Sequence, residues 1–83
     1  MAFTQDQIDE MELLLRYRLD TTLEGIKIHK SASPRIIAAA ERLFEKGLTT
    51  QIDGGYLTEL GRETAQHAQS LLLLLAPAHS IAS

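Results

Sequence analysis

The stretch "FEKGLTTQIDGGYLTELGRE", Phe44 to Glu63, closes one helix, reverses the chain and opens another helix within twenty residues. Gly47 supplies the left-handed stop of the first helix. Asp53-Gly54 has the composition of a type I′ turn, whose twist suits two antiparallel strands, and Leu48, Thr49, Thr50, Ile52, Tyr56 and Leu57 are fit to pair around it. Thr58 is placed to cap the second helix, with Glu59 in its first turn where the helix dipole favours an acid. Gly61 would let that helix approach the sheet closely.

Upstream, "SPRIIAAAERLFEKG" is a helix with its own punctuation: Ser33 as N-cap, Pro34 at the first helical position, alanines within and Gly47 beyond. Helical spacing puts Ile36, Ile37, Ala40, Leu43 and Phe44 on one side and leaves Arg35, Ala38, Glu41, Arg42, Glu45 and Lys46 toward solvent. "TQDQIDEMELLLRYRL" begins with Thr4 and Gln7 at capping-box spacing. Its apolar stripe of Ile8, Met11, Leu14 and Leu15 continues to Leu19, while Asp9, Glu12 and Arg16 point elsewhere. Between these helices, "DTTLEGIKIHKSA" combines a cap residue, an interrupting Gly25 and the alternation "GIKIHK". The expectation there is a helical turn at Thr22 to Glu24 followed by an extended stretch over residues 25–30, with a helix as the other possibility.

The last helix carries a stripe of Leu57, Leu60, Thr64, Ala68, Leu71, Leu72 and Leu75, and its run of five leucines covers nearly the whole circumference. Pro77 ends it. The expected organisation is one domain over residues 1–76 and a flexible tail over residues 77–83.

Composition narrows the function classes. The chain has 83 residues, 45% hydrophobic and 23% charged, ordinary for a single folded domain near the lower size limit for a self-sufficient core. It has no cysteine, so disulfides, thiolate metal sites and a cysteine nucleophile are excluded. No apolar run is long enough to span a bilayer and the first residues lack a signal-peptide pattern, so a cytoplasmic location is expected. The net charge is −3, unfavourable for binding phosphate backbones, but it is unevenly spread. Residues 25–46 hold five basic side chains against two acidic ones, and the rest of the chain carries −6.

The order helix, turn, helix, hairpin, helix indicates a mainly α (α+β) winged helix-turn-helix with a short β-hairpin wing and a long C-terminal helix. Leu43, Lys46, Gly47, Leu48, Tyr56, Leu57, Thr58, Gly61 and Arg62 resemble the wing segment of PadR-like and MarR-like bacterial regulators. The stretches "GIK", "RLFEKGL", "DGGYLT" and "HAQ" make nearly the whole chain similar to a family of small uncharacterised proteobacterial proteins often labelled DNA-binding. These resemblances imply a binding partner, double-stranded DNA, and a role in transcription regulation.

On that reading the helix over residues 33–46 faces the groove. Arg35 and Arg42 share a face with small alanines between them, Lys46 follows, and Lys27 and Lys30 reach the neighbouring backbone. The wing tip, Asp53-Gly54-Gly55, carries no cation for a minor groove. Leu71, Leu72, Leu74 and Leu75 are the expected homodimer interface. The alternative is a non-catalytic protein-protein interaction module of the same fold, docking through the acidic first helix and the leucine-rich end.

No nucleophile, phosphate loop or paired acid-base set is present, so neither an enzyme nor a cofactor is expected. Glu63 and His67 share a helix face and His29 lies in "KIHK", but neither makes a metal site on its own.

Overall fold

The computed structural model describes residues 2–77. Helix α1 runs Gln5–Leu14, strand β1 Ile26–Lys27, helix α2 Pro34–Glu45, strand β2 Thr49–Gln51, strand β3 Gly54–Leu57 and helix α3 Glu59–Leu75. The three strands form one antiparallel sheet in the order β1-β3-β2. The architecture is α+β, three helices around a small sheet.

Each helix starts where its polar residues can satisfy the first N–H groups. Thr4 Oγ1 accepts from the Gln7 N–H and Gln7 Oε1 accepts from the Thr4 N–H, a complete capping box. Ser33 caps α2 with Pro34 at its first position, and Thr58 caps α3.

The end of α1 departs from the sequence reading. The helix stops at Leu14 instead of running on to Leu19. Arg16 and Tyr17 tighten the last turn by bonding three residues back. Beyond them, the main-chain oxygens of Leu19 and Thr21 each accept from the Arg62 guanidinium of α3 at 2.8 Å. The expected helical turn at Thr22 to Glu24 is a bend, held by the Leu23 N–H on Thr21 Oγ1. The extended stretch does form, as the edge strand β1, and the Ile28 N–H prolongs it with a bond to the Asp53 carbonyl at 2.8 Å.

The hairpin also turns one residue earlier than expected. Gln51 faces Gly54, so Ile52 and Asp53 are the two linking residues, and neither has positive φ. A type I′ turn at Asp53-Gly54 would need positive φ at both of those residues. The left-handed conformations fall instead on Gly54 (φ 118°) and Gly55 (φ 75°), where β3 holds one residue more than β2 between paired positions. A Cβ on Gly54 would lie 2.6 Å from the Ile26 carbonyl oxygen, so β1 can reach β3 only past a glycine.

The core is small and sets leucines against alanines. Leu13 and Leu14 of α1 meet Ala39, Ala40 and Leu43 of α2, Leu48, and Ala65 of α3, with Leu19, Ile26, Ile28 and Leu57 packed at its edge. Alanines at helix contacts let backbones draw close, and Gly61 carries this furthest. A Cβ there would stand 1.8 Å from the Leu48 carbonyl oxygen. That carbonyl accepts the Thr58 N–H at 3.1 Å, while the Thr58 hydroxyl donates to Gly47 O at 2.6 Å and accepts from the Gly61 N–H at 3.0 Å. One polar knot thus joins the end of α2, the start of β2 and the cap of α3. The tail expected over residues 77–83 lies, beyond Pro77, outside the described residues.

Tyr17 is buried, and its hydroxyl has no hydrogen-bond partner among the described residues. Burial, with a smaller contribution from the Asp53 charge, pushes its pKa up to about 12 from an ordinary 10.0. The folded state therefore holds this proton more tightly than the unfolded chain does. The associated stability is intact below the ordinary value and is lost as pH rises from about 10 toward about 12. Replacing Tyr17 by Phe should leave urea stability at neutral pH unchanged or raised by up to about 1 kcal/mol, and should flatten the alkaline decline. A clear loss of stability at neutral pH would mean that the hydroxyl has a partner.

Candidate functional site

Arg35, Arg42 and Lys46 stand on α2 at intervals of seven and four residues, which makes one row along the helix. The sequence reading turned that row toward solvent. In the structure it lies against α1. The Arg35 guanidinium donates twice to the Asp9 carboxylate, at 3.1 and 2.7 Å, and Asp9 also accepts from Gln5 Nε2 at 3.0 Å. Arg42 Nε donates to Glu10 at 2.9 Å, and its Nη2 reaches the Asp6 main-chain oxygen at 3.4 Å and the Asp6 carboxylate at 3.7 Å. The Lys46 ammonium takes the second oxygen of Glu10.

Glu10 is buried, so its charge has left most of its water behind and depends on these two cations. The hydrogen bonds from Arg35, then Gln5, hold the Asp9 carboxyl below its usual range. Arg35 and Arg42 are shifted upward by the carboxylates they grip, Asp9 and Glu10 respectively. Arg35 and Lys46 stay exposed while paired, with side chains 66% and 52% exposed, and α2 also shows Glu41, Phe44 and Glu45 to solvent; Phe44, expected inside, is 40% exposed. The missed signal was reciprocal spacing. Asp6, Asp9 and Glu10 recur at three and four residues on α1, complementary to the basic row on α2.

The other basic residues separate into different surroundings. Arg18 pairs with Asp20 and Glu24, and Arg62 is spent on the carbonyls described above. Lys27 lies 3.9 Å from Asp53 and is largely exposed, while Lys30 has no carboxylate partner among the described residues. Lys27 and Lys30 are together on one wall of an open cleft of 930 Å³ between the turn after β1, the outer side of α2 and the tip of the hairpin. So the structure splits the five expected DNA contacts: Arg35, Arg42 and Lys46 line the seam between helices, and Lys27 and Lys30 border the cleft.

The leucines of α3 are where the sequence reading placed them, outside. The buried positions of the helix are Gly61, Ala65 and Ala68. Beyond Ala68 the helix continues for residues 69–75, about 10 Å at 1.5 Å per residue, with no buried side chain. Leu71, Leu72, Leu73, Leu74 and Leu75 are 37%, 56%, 63%, 79% and 75% exposed. Among the described residues no helix is long and apolar enough to cross a membrane, and no three His, Asp or Glu side chains gather as metal ligands. Among the described residues no third ligand stands with Glu63 and His67.

Residues 1–76 match DUF5669, a family of unknown function, and the chain belongs to that family. No curated protein and no solved structure shows a significant match.

The α1–α2 seam makes a direct stability prediction. Glu10→Gln keeps the shape but removes the charge that two cations share, and should cost about 1.5 kcal/mol in denaturant unfolding. The cost stays at the low end because Lys46 is half-exposed and can turn to water. A double-mutant cycle of Glu10→Gln with Arg42→Met should return a coupling of about 1 kcal/mol; additive effects would show that the contact holds nothing together.

Proposed function

We propose that this chain is a non-catalytic interaction domain of winged-helix type that assembles as a homodimer through the projecting end of α3. The exposed leucines 71–75 carry the proposal. Soluble monomers seldom leave contiguous apolar patches beyond about 300–600 Å² uncovered, and five leucines around one helix end reach that range. From Ala68 to Leu75 the helix has no charged side chain, so the patch repels nothing like itself. A two-fold axis across two such ends sets leucine against leucine, the self-complementary arrangement of most small homo-oligomers. A second copy is therefore the occupant to test, and a cytoplasmic setting suits it. The winged-helix reading is supported by the order α1-β1-α2-β2-β3-α3, with the hairpin directly after α2 as in PadR-like and MarR-like regulators.

A second reading, double-stranded DNA binding with a role in transcription regulation, is favoured by Lys27 and Lys30 standing together with Lys30 unpaired among the described residues. It has two obstacles. Arg35, Arg42 and Lys46 would have to exchange their carboxylates for phosphate. A helix-turn-helix also joins its two helices by three or four residues, whereas residues 15–33 separate α1 from α2.

Sedimentation equilibrium at micromolar concentration should give a dimer for the native chain and a monomer for the double variant Leu72→Asp, Leu75→Asp. The thermal unfolding of the variant should remain cooperative, because neither side chain belongs to the core. A monomeric native chain would remove the proposal. Fluorescence anisotropy with mixed duplex fragments tests the second reading. Binding that falls steeply with salt and weakens in Lys27→Ala, Lys30→Ala would support it, and absence of binding at low salt would end it.

A further inference from the structure

The cleft between the turn after β1, α2 and the hairpin tip is the largest concavity described above, and neither the helix seam nor the leucine end uses it. Its volume, 930 Å³, is in the range of small-molecule sites, about 300–1,000 Å³. Three isoleucines converge on it from three elements: Ile28 after β1, Ile37 on α2 and Ile52 in the hairpin turn. Ile52 is 53% exposed, so its side chain is accessible from the cleft.

The charges of the cleft are polarised. The wall over residues 27–31 carries Lys27, His29 and Lys30 and no acid. Glu41 of α2 and Asp53 of the hairpin tip also line the cleft, and Asp53 only approaches Lys27, at 3.9 Å. Half of the eight cations, Arg18, Arg35, Arg42 and Lys46, sit on carboxylates, whereas among the described residues this wall keeps one ammonium unpaired and another barely paired.

We infer that the cleft binds a small amphipathic carboxylate, its apolar body against Ile28, Ile37 and Ile52 and its anionic head on Lys30 and Lys27. The head is directed to that wall by attraction to the lysines and by repulsion from Glu41. A phosphate backbone would leave the isoleucines idle, and an uncharged hydrocarbon would leave the lysines so. The chemistry that satisfies both is an acyl or aromatic monocarboxylic acid. None of the lining residues belongs to α3, so the site is independent of the proposed dimer contact.

The experiment is an NMR titration of the full chain with octanoate, and with octanol and octylammonium as matched probes. Octanoate should produce saturable shifts at the amides of residues 27–31 and 37–41. Lys30→Ala should weaken it about fivefold or more, and Ile52→Ser, a change at an exposed turn, should weaken it comparably. Octanol should bind more weakly, and octylammonium more weakly still. Equal affinity for octanol, tighter binding of octylammonium, shifts centred on residues 71–75, or no saturable shift would each overturn the inference.

Discussion

A buried carboxylate sets the terms for this molecule. Glu10 lies in the seam between α1 and α2, where the alternative to ion pairing is an unsolvated charge costing several kcal/mol. Arg42 and Lys46 therefore cannot be independent of α1, and Asp9 draws Arg35 into the same contact. The consequence reaches function. A basic row that would be an attractive phosphate-binding face in isolation is engaged with carboxylates of α1 here.

The distribution of large apolar side chains follows a second logic. The core sets four leucines against three alanines and the glycine of α3, which lets three helices and a minimal sheet pack within a short chain. Its one large side chain below 2% exposure is Leu43. The bulky leucines are concentrated in α3 beyond the point where the body of the protein ends.

What could be read from sequence were features fixed by neighbours along the chain. The Thr4, Ser33 and Thr58 caps, the stop at Gly47, the extended stretch after Gly25 and the close approach at Gly61 depend on residues a few positions apart, or on the absence of a Cβ. The exposed leucines were legible because no single core can cover a whole helix circumference. The readings that failed depend on distant partners. Past the end of α1, the path of the connecting segment is held by Arg62, far along the chain, whose guanidinium takes the Leu19 and Thr21 carbonyls. The hairpin turn shifted by one residue because β1 pairs with β3 and needs Gly54 in the strand rather than in the turn. The row of Arg35, Arg42 and Lys46 is tied to α1, with Arg35 and Lys46 still exposed, because α1 carries acids at matching intervals, which no single helical wheel displays.

The grip of Arg62 on Leu19 and Thr21 bears on how the chain can be shortened. Residues 15–25 have no regular structure apart from a few local bonds, and these two contacts span separations of 43 and 41 residues. A fragment ending before α3 would keep α1, β1, α2 and the hairpin in sequence, yet it would lose the side chain that gives the connecting segment its path. It would also lose the helix whose glycine rests on Leu48. The smallest excisable unit is thus nearly the whole chain, and cutting it for peptide studies would remove the architecture along with the residues.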